Sequence, residues 1–515
     1  MRAALVVLTA TVAAPAFAGH DLNGDGYADL VIGVPDEAIG AEVRAGAVHV
    51  LFGSAAGIVT GGSQLVLVTS FGTGALATKD DRFGAALAAG DFDGDGFEDL
   101  AIGAPGRMVS GIPGAGEVYV VRGSASGVLL GDALQVQVWS QDAEGIKDRV
   151  DLDPVFALPW STEAFGRSLV SGDFDGDGYA DLAIGVRETV KKVERAGAIH
   201  VLYGSSSGLG AARNQLWHLD APGVKGKAKA LDDLGFELAA GDFDGDGRDD
   251  LVAASNAPIK PGVRGMLLAL YGGKKGLRAK RCGWLPVDAG TGAYTAGVFG
   301  FFSLASGDVD ADGRDDLLVG TPFQAVDGAS QPGAIRVMRG TSKGVSTAGS
   351  TLWHRDTPGI LGSVATSLRL GIALASGDFN GDGADDALGG APYSTVSAPL
   401  SGDACEIHGA VSSGLTAVGN LYWSGDSALF GTSAVSLDGF AASLATGDFD
   451  FDGFTDAAFG APGRDVGAVL DAGVVFIVYG DAGGLGASSI ALDQNSPGIA
   501  GVGELGDRFA SVLLR

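Results

Sequence analysis

Positive charge is scarce in this sequence, with 34 lysines and arginines against 62 aspartates and glutamates and a formal net charge of −28. A basic surface that could neutralise a nucleic-acid backbone is therefore not expected. Cysteine is scarcer still, since only Cys282 and Cys405 occur. An exported protein could join them in a disulfide. Their wide separation in different repeats favours two separate buried thiols.

Long apolar runs are confined to the first 18 residues. There, Arg2 precedes an apolar or small-residue segment from Ala3 to Ala14, and Ala16-Phe17-Ala18 has the form of a cleavage site. This is the pattern of a secretory signal peptide, and it is too short to span a bilayer. We therefore expect residues 1–18 to be removed. The mature protein is expected to be secreted or held at a cell surface, without a membrane span.

Apolar residues at helical spacing are not evident, and charged residues make up only 19% of the chain. Glycine, in contrast, occurs 87 times, and 46% of the residues are hydrophobic. A chain this apolar is not intrinsically disordered. The composition is typical of many short strands joined by tight turns, and it indicates an all-β fold.

One acidic motif occurs seven times. Its copy at residues 90–105 reads GDFDGDGFEDLAIGAP, in which four aspartates and a turn glycine lead into an apolar run. The first aspartates of successive copies lie 66 to 82 residues apart, with Asp242 to Asp308 the shortest interval and Asp91 to Asp173 the longest. That period is too long for one turn of a solenoid and fits a four-stranded propeller blade with its loops.

Each acidic loop has the ligand pattern of a calcium site. Oxygens at positions 1, 3, 5 and 9, together with the carbonyl of position 7, can converge on one hard cation. Four carboxylates this close would repel one another strongly without a cation. We therefore predict up to seven bound Ca²⁺ ions. The candidate ligands are Asp21, Asn23, Asp25, Tyr27 and Asp29; Asp91, Asp93, Asp95, Phe97 and Asp99; Asp173, Asp175, Asp177, Tyr179 and Asp181; Asp242, Asp244, Asp246, Arg248 and Asp250; Asp308, Asp310, Asp312, Arg314 and Asp316; Asp378, Asn380, Asp382, Ala384 and Asp386; and Asp448, Asp450, Asp452, Phe454 and Asp456.

EF-hands and dockerins share the beginning of this motif, but they need an acidic residue at position 12 and a helix beyond it. Position 12 is apolar or glycine in every copy, as at Ile102 in the second, and it falls within a strand pattern. Those two classes are therefore excluded. An acidic turn without metal is the remaining alternative.

Four strand patterns recur around every acidic loop, and the fourth often ends in tryptophan, as at Trp139 and Trp217. Residues 506–514 repeat the beginning of a blade without a following acidic loop, whereas the first acidic loop has no strand pattern before it. The prediction is an all-β, seven-bladed β-propeller of four-stranded antiparallel blades, closed by pairing of the C-terminal strand with the N-terminal blade. The predicted blades are 19–70 with 504–515, 82–140, 164–220, 233–287, 299–355, 369–425 and 439–493.

These motifs resemble FG-GAP repeats, the units of the seven-bladed propeller at the N-terminus of integrin α subunits. Phe83-Gly84 and Gly103-Ala104-Pro105 carry both halves of that pattern, whereas Leu234-Gly235 and Ala254-Ser255-Asn256 depart from it. The resemblance implies calcium in the loops between first and second strands and ligand binding on the opposite face. Without an integrin-type membrane helix, a secreted integrin-like propeller is expected.

We predict a non-enzymatic scaffold, expected to be monomeric, for extracellular binding or cell adhesion, whose partner is a protein or a glycan. A carbohydrate-binding lectin is an alternative, and a polysaccharide-acting enzyme is another. Repeat-equivalent histidines such as His49 and His200 suit packing better than catalysis. The candidate binding loops are 36–45, 106–115, 187–196, 323–331 and 393–403, with the acidic insertion at 141–163.

Overall fold

The computed structural model describes residues 19–147, 163–256, 265–287, 303–326 and 328–515. The predicted signal peptide at 1–18 and most of the predicted insertion at 141–163 lie outside these residues. The described residues form seven four-stranded sheets, each with antiparallel neighbours. The predicted fold class is therefore confirmed.

Each sheet is one blade, and its strands follow one another from the innermost to the outermost. Blade 1 contains β1 (Leu30–Val34), β2 (Ala47–Phe52), β3 (Val59–Val66) and the innermost strand β28 (Val512–Leu513), and blade 2 contains β4 (Ala86–Gly90), β5 (Asp99–Ala104), β6 (Glu117–Val121) and β7 (Val136–Trp139). Blades 3 to 5 contain β8 (Ser168–Gly172), β9 (Asp181–Val186), β10 (Ala198–Tyr203), β11 (Gly210–Trp217); β12 (Leu238–Gly241), β13 (Asp250–Ser255), β14 (Met266–Tyr271), β15 (Arg278–Pro286); and β16 (Leu304–Gly307), β17 (Asp316–Gly320), β18 (Ile335–Arg339), β19 (Ser346–Trp353). Blades 6 and 7 contain β20 (Ala373–Gly377), β21 (Asp386–Ala391), β22 (Asp403–Ile407), β23 (Leu421–Ser424); and β24 (Ser443–Gly447), β25 (Asp456–Ala461), β26 (Val474–Asp481), β27 (Gly484–Leu492).

The two ends of the described chain meet in blade 1. Strand β28 pairs with β1 through Ile32–Leu513 and Gly33–Val512. The innermost strands contact one another in the cyclic order β4, β8, β12, β16, β20, β24, β28 and back to β4. The ring is therefore closed by the C-terminal strand, as predicted, and β28 covers the edge of β1 that faces the axis.

Small residues line the axis of the ring because seven strands converge there. Strand β4 reads ALAAG and β24 reads SLATG. Ser306 Oγ donates to the carbonyl of Ala240 at 2.6 Å, and Thr446 Oγ1 donates to that of Ser376 at 2.9 Å. These hydroxyls satisfy backbone carbonyls between neighbouring innermost strands, where no sheet hydrogen bond is available.

The FG-GAP pattern has a steric cause at the contact between blades. A Cβ on Gly103, in the Gly-Ala-Pro part of blade 2, would lie 2.1 Å from the carbonyl oxygen of Gly166, in the Phe-Gly part of blade 3. The phenylalanine beside it, Phe165, is fully buried and packs with Ile184 and Val118 of the two blades. Glycine therefore permits the close approach, and the aromatic ring fills the space between the sheets.

The second strands are buried along their whole length, as in β5, whereas the outermost strands are largely exposed, as in β19. Three short 3₁₀ turns, Val68–Phe71, Ala133–Gln135 and Ala428–Phe430, complete the described secondary structure. Among the described residues, no helix has the length and apolarity needed to cross a membrane. Both cysteines are buried free thiols, in line with the prediction.

Candidate metal centres

The acidic loops are numbered 1 to 7 and comprise residues 21–29, 91–99, 173–181, 242–250, 308–316, 378–386 and 448–456. Each connects the end of an innermost strand to the second strand of its blade, apart from acidic loop 1, which follows a single bridge between His20 and Asp29. All seven therefore lie on one face of the ring. The predicted ligands of each loop are thus brought together at one end of its blade.

The first aspartate organises each loop. Asp91 accepts hydrogen bonds from the N–H groups of Gly94, Asp95 and Gly96 at 2.6 to 3.1 Å. In all seven loops the position-1 carboxylate accepts from the N–H groups of positions 5 and 6. Position 4 adopts a left-handed φ of +54° to +72°, even where it is Ala311 or Phe451. The backbone thus curls around the carboxylates and directs positions 1, 3 and 5 inward.

The position-9 aspartate is anchored from the other side. Asp99 Oδ1 accepts from the N–H of Gly123 at 3.0 Å, and Asp181 Oδ1 accepts from that of Gly204 at 2.9 Å. The glycine that follows the third-strand pattern makes this bond in every blade. Position 9 is thereby held at the base of the loop, facing the other carboxylates.

Carboxylate oxygens of different positions lie within 4.8 Å of one another in acidic loops 2 to 5. The grouped residues are Asp91, Asp93 and Asp95; Asp173, Asp175 and Asp181; Asp242, Asp244 and Asp246; and Asp308, Asp310 and Asp312. Within the described structure, several buried oxygens of these loops accept no hydrogen bond, namely Asp175 Oδ1, Asp244 Oδ1, Asp250 Oδ2 and Asp310 Oδ1. Convergent oxygens, some of them unsatisfied, fit a hard cation such as Ca²⁺.

Burial raises the pKa of every position-9 carboxyl, and neighbouring carboxylates raise it further, with Glu406 in that role beside Asp386. The pKa rises to about 7 in Asp29, Asp99 and Asp316, and to about 8 in Asp181, Asp250, Asp386 and Asp456. Without a cation, these groups would therefore be partly protonated near neutral pH. A bound cation would reverse the shift, because it stabilises the ionised form.

Arginines lie beside the position-3 aspartates in acidic loops 2 to 5. Arg122 contacts Asp93 at 2.6 Å and Arg213 contacts Asp175 at 2.5 Å, while Arg281 pairs with Asp244 and Arg339 pairs with Asp310. Each guanidinium offsets one of the four negative charges. Sequence reasoning missed these arginines, because they lie 29 to 38 residues beyond their aspartates.

These arginines come from two places in the blade. Arg122 and Arg339 end the third-strand pattern, whereas in blades 3 and 4 that place is taken by Tyr203 and Tyr271. There the arginine comes from the outermost strand and lies over the tyrosine ring, with Arg213 at 5.0 Å and Arg281 at 4.9 Å from the ring centroid. Two different routes thus place a positive charge at the same point of the loop.

The remaining loops differ in charge. Position 3 is the neutral Asn23 in acidic loop 1 and Asn380 in acidic loop 6, so positions 1, 3, 5 and 9 of those loops hold three carboxylates. Acidic loop 7 has four, and no described lysine or arginine forms an ion pair with Asp448, Asp450, Asp452 or Asp456. Its four predicted side-chain ligands therefore form the most negative set among the seven loops. In acidic loops 4 and 5, Arg248 and Arg314 add a second positive charge beside Asp246 and Asp312, each at 2.8 Å.

Blade 6 adds two unusual side chains to its loop. Glu406 and His408 of the third-strand pattern lie beside Asp386, with one ligand atom of each within 4.8 Å of the others. Glu406 is also satisfied by Trp423 Nε1 at 3.0 Å and by the N–H of Leu485 at 3.2 Å. The hydrogen bonds of Glu406 within the blade and to its neighbour indicate a role in packing.

Backbone hydrogen bonds join the seven loops into a closed circle. The N–H of position 8 donates to the carbonyl of position 1 in the preceding loop, at 2.9 to 3.5 Å, around the whole ring. The pairs are Glu98–Asp21, Ala180–Asp91, Asp249–Asp173, Asp315–Asp242, Asp385–Asp308, Thr455–Asp378 and Ala28–Asp448. Ordering one loop therefore constrains the loops on either side of it.

The histidines pack as expected. His49 and His200 are buried and contact Phe509 and Phe165 edge-on at 5.3 and 5.4 Å. Burial lowers the pKa of His49 to about 4. The predicted binding loops, which leave the second strands at the other end, lie on the face opposite the acidic loops.

FG-GAP repeats match residues 14–51, 83–121, 165–202, 234–262 and 301–338. The chain is an integrin-like FG-GAP propeller. It is 36% identical over 167 residues to integrin alpha-7 from Homo sapiens, covering 32% of this chain and 11% of that protein. It is 32% identical over 168 residues to integrin alpha-PS5 from Drosophila melanogaster, covering 32% and 14%.

A second group of relatives carries the name of an enzyme. Phosphatidylinositol-glycan-specific phospholipase D from Homo sapiens is 27% identical over 313 residues, covering 58% of this chain and 34% of that protein. The matched region thus spans about a third or less of these integrin and phospholipase relatives.

The prediction that the protein is not an enzyme is therefore wrong, because relatives that share this region carry the name of an enzyme. FG-GAP blades like these occur in relatives named as phospholipases as well as in integrins. The prediction relied on the lack of a catalytic pattern in the blades. Blade sequence reflects how the sheets pack and does not determine what the whole protein catalyses.

Proposed function

We propose that this integrin-like propeller is an extracellular, calcium-loaded scaffold that binds a protein or glycan ligand on the face opposite the acidic loops. The observation that carries the calcium part is the unsatisfied, buried oxygen of position 3, as in Asp175 and Asp244, in a carboxyl group that lies within 4.8 Å of other carboxylates of its loop. Up to seven Ca²⁺ ions would be held by the residues of positions 1, 3, 5, 7 and 9. The ions would neutralise the carboxylates and hold the loops of the ring in place.

The binding part of the proposal is supported by the arrangement of the two faces. The acidic loops form hydrogen bonds within themselves and with the neighbouring loops around the ring. The loops on the opposite face vary in length and sequence between blades, as ligand-binding loops on a rigid framework do. Extracellular location is supported by the secretory pattern of residues 1–18.

Equilibrium dialysis against Ca²⁺, with metal analysis of the dialysed protein, tests the calcium part. We expect between five and seven ions per chain. Asp175→Asn together with Asp181→Asn should remove one ion and leave the others. Binding of one ion or none to the wild-type chain would contradict the proposal.

Pull-down from extracellular matrix or cell-surface material tests the binding part. The bait is the full chain in calcium, and the control is the same chain in chelator. A partner retained only in calcium would support the proposal. Identical retention of all material in both samples would contradict a calcium-organised binding face.

A second candidate function is favoured by the phospholipase D relatives. The chain would then take part in cleaving a glycan-linked phosphatidylinositol. The assay is release of phosphatidic acid from such a lipid in mixed micelles, with heat-inactivated protein as the control. Calcium-dependent release would support this candidate, and release no greater than in the control would contradict it.

A further inference from the structure

A cavity of about 560 Å³ opens at the centre of the face opposite the acidic loops. Its wall is formed where innermost strands begin, as at Glu237 and Ser303, and where second strands end, as at Phe323 and Tyr393. Because the acidic loops leave the far ends of the innermost strands, this cavity is separated from them by the length of the ring axis. It is large enough for a small organic ligand.

The cavity is positively charged in a strongly negative protein. Its described lining includes the four arginines Arg167, Arg187, Arg369 and Arg515, with Glu237 as the single carboxylate. The guanidinium of Arg515 pairs with Glu237 and also donates to the carbonyl of Leu304 at 3.3 Å. The other three arginines outnumber the carboxylates on this wall.

Three guanidiniums share one carboxylate just behind the wall. Asp233 contacts Arg167 at 3.0 Å, Arg187 at 3.4 Å and Arg195 at 2.7 Å. Burial, together with repulsion between the arginines, lowers the pKa of Arg167 to about 10 although Asp233 opposes the shift. Like charges held this close favour an additional anion beside them.

Arg369 lies next to two aromatic rings. Its guanidinium carbon is 4.7 Å from the centroid of Tyr393 and 5.2 Å from that of Phe323. Its Nε is buried and donates to no acceptor among the described residues. Tyr393 is 44% exposed, so part of its surface is open at the mouth of the cavity. A cation with an unused donor beside an open aromatic surface can bind both the charge and the apolar side of one small ligand.

We infer that this cavity binds an acidic saccharide, with its carboxylate or sulfate on Arg369 and its ring against Tyr393, while Arg167 and Arg187 add positive charge on the blade 3 side of the wall. The inference deepens the binding role proposed above and rests on it for the extracellular origin of the ligand. It does not depend on the calcium sites, because none of their residues lines the cavity.

Isothermal titration calorimetry on the full chain in calcium tests the inference with sodium glucuronate, glucose and sodium sulfate as probes. We expect glucuronate to bind at least tenfold more tightly than glucose, because only glucuronate carries a charge. We also expect it to bind more tightly than sulfate, because sulfate has no ring. Equal binding of glucuronate and glucose, or tighter binding of sulfate, would overturn the inference.

Two substitutions with opposite expected effects locate the site. Arg369→Gln should weaken glucuronate binding at least tenfold, whereas Glu237→Gln should tighten it about threefold, because it releases Arg515. The matched control is Arg82→Gln, since Arg82 holds the same place before the Phe-Gly pattern and has a similar φ, yet is exposed and outside the cavity. It should bind like the wild type.

The site would be overturned if Arg369→Gln bound glucuronate as tightly as the wild type, or if Glu237→Gln bound it more weakly. A misfolded protein cannot bind glucuronate more tightly than the wild type. The Glu237→Gln result therefore still tests the site if Arg369→Gln is unstable. Calcium content measured on the same samples separates this result from the calcium proposal. If the chain holds its full complement of Ca²⁺ but does not bind glucuronate, the saccharide site is refuted and the calcium proposal is not.

Discussion

The backbone N–H of Ala28 donates to the carbonyl oxygen of Asp448 at 3.0 Å. This hydrogen bond links acidic loop 1 to acidic loop 7, across the same junction that β28 closes by pairing with β1. The ring is therefore closed twice, once by a strand at its axis and once by the loops on one face. Calcium bound in those loops would act directly on the second closure.

The charges of the loops predict unequal calcium affinities. Acidic loop 7 has carboxylates at all four side-chain ligand positions and no arginine ion-paired with them among the described residues, so we expect it to hold the most tightly bound ion. Asp450→Asn should abolish this high-affinity class, whereas Asp465→Asn, which lies beyond the loop, should not. Titration of the calcium-free chain with a calcium-sensitive competitor dye measures both. A uniform affinity for all ions in the wild type would contradict the prediction.

Removing an arginine should strengthen calcium binding at its own loop. Arg213 offsets the charge of Asp175, and a unit charge a few ångströms away is worth roughly 1–4 kcal/mol, less where solvent screens it. Since Arg213 is half exposed, we expect Arg213→Gln to tighten one site about three- to tenfold. Arg44→Gln, which removes an exposed arginine paired with Asp80, is the control. Weaker calcium binding by Arg213→Gln would show that the arginine supports the loop.

The calcium-free protein should lose stability as the pH rises. The position-9 carboxyls, such as Asp181 with a pKa of about 8, have folded pKa values above the ordinary value of 3.8. The folded state therefore holds more protons than the unfolded state from about pH 4 to pH 8, and its free energy of unfolding falls across that window. In saturating calcium the trend should disappear or reverse, because the ion needs the ionised carboxylates.

Urea unfolding at pH 5.5 and pH 8, in chelator and in calcium, measures this dependence. Asp250→Asn removes one of these groups, whose pKa is also about 8, at an oxygen (Oδ2) that accepts no hydrogen bond. It should raise the free energy of unfolding in chelator at pH 8 by at least about 1 kcal/mol, the equivalent of one pKa unit. Greater stability of the calcium-free wild type at pH 8 than at pH 5.5 would contradict the assignment.

The strand closure is testable at Phe509. This side chain is fully buried between blades 1 and 7 and contacts the ring of His49 at 5.3 Å. Phe509→Ala should cost about 3–5 kcal/mol of stability, because it leaves a cavity at the junction. Leu505, four residues earlier, is 74% exposed, and Leu505→Ala should change stability by less than about 0.5 kcal/mol. Equal effects of the two substitutions in urea unfolding would contradict closure by this segment.

The seven blades and the ring closure were predictable because each depends on a repeated local pattern. The copy at residues 90–105 already contains the end of an innermost strand, its acidic loop and its second strand, and six further copies set the blade number. The motif glycines follow from the same repetition, since Gly103 meets Gly166 of the next blade. Each copy of the sequence motif thus corresponds to one blade of the ring.

The arginines of the acidic loops and of the cavity were not predictable in this way. Arg122 and Arg213 reach equivalent aspartates from different strands, so no single spacing identifies them. Arg369 and Arg167 belong to different blades, and only the closed ring brings them to one cavity. Contacts of this kind depend on how the blades are arranged around the axis, which local sequence does not record.

Thermal melting of the full chain in calcium and in chelator tests the central claim most directly. If calcium in the acidic loops holds the ring together, the chelator should lower the melting temperature by about 10 °C or more, since several sites each contribute on the order of 2–4 kcal/mol at saturation. Magnesium at the same concentration should restore little of this loss. A melting temperature that is unchanged by the chelator would contradict the account.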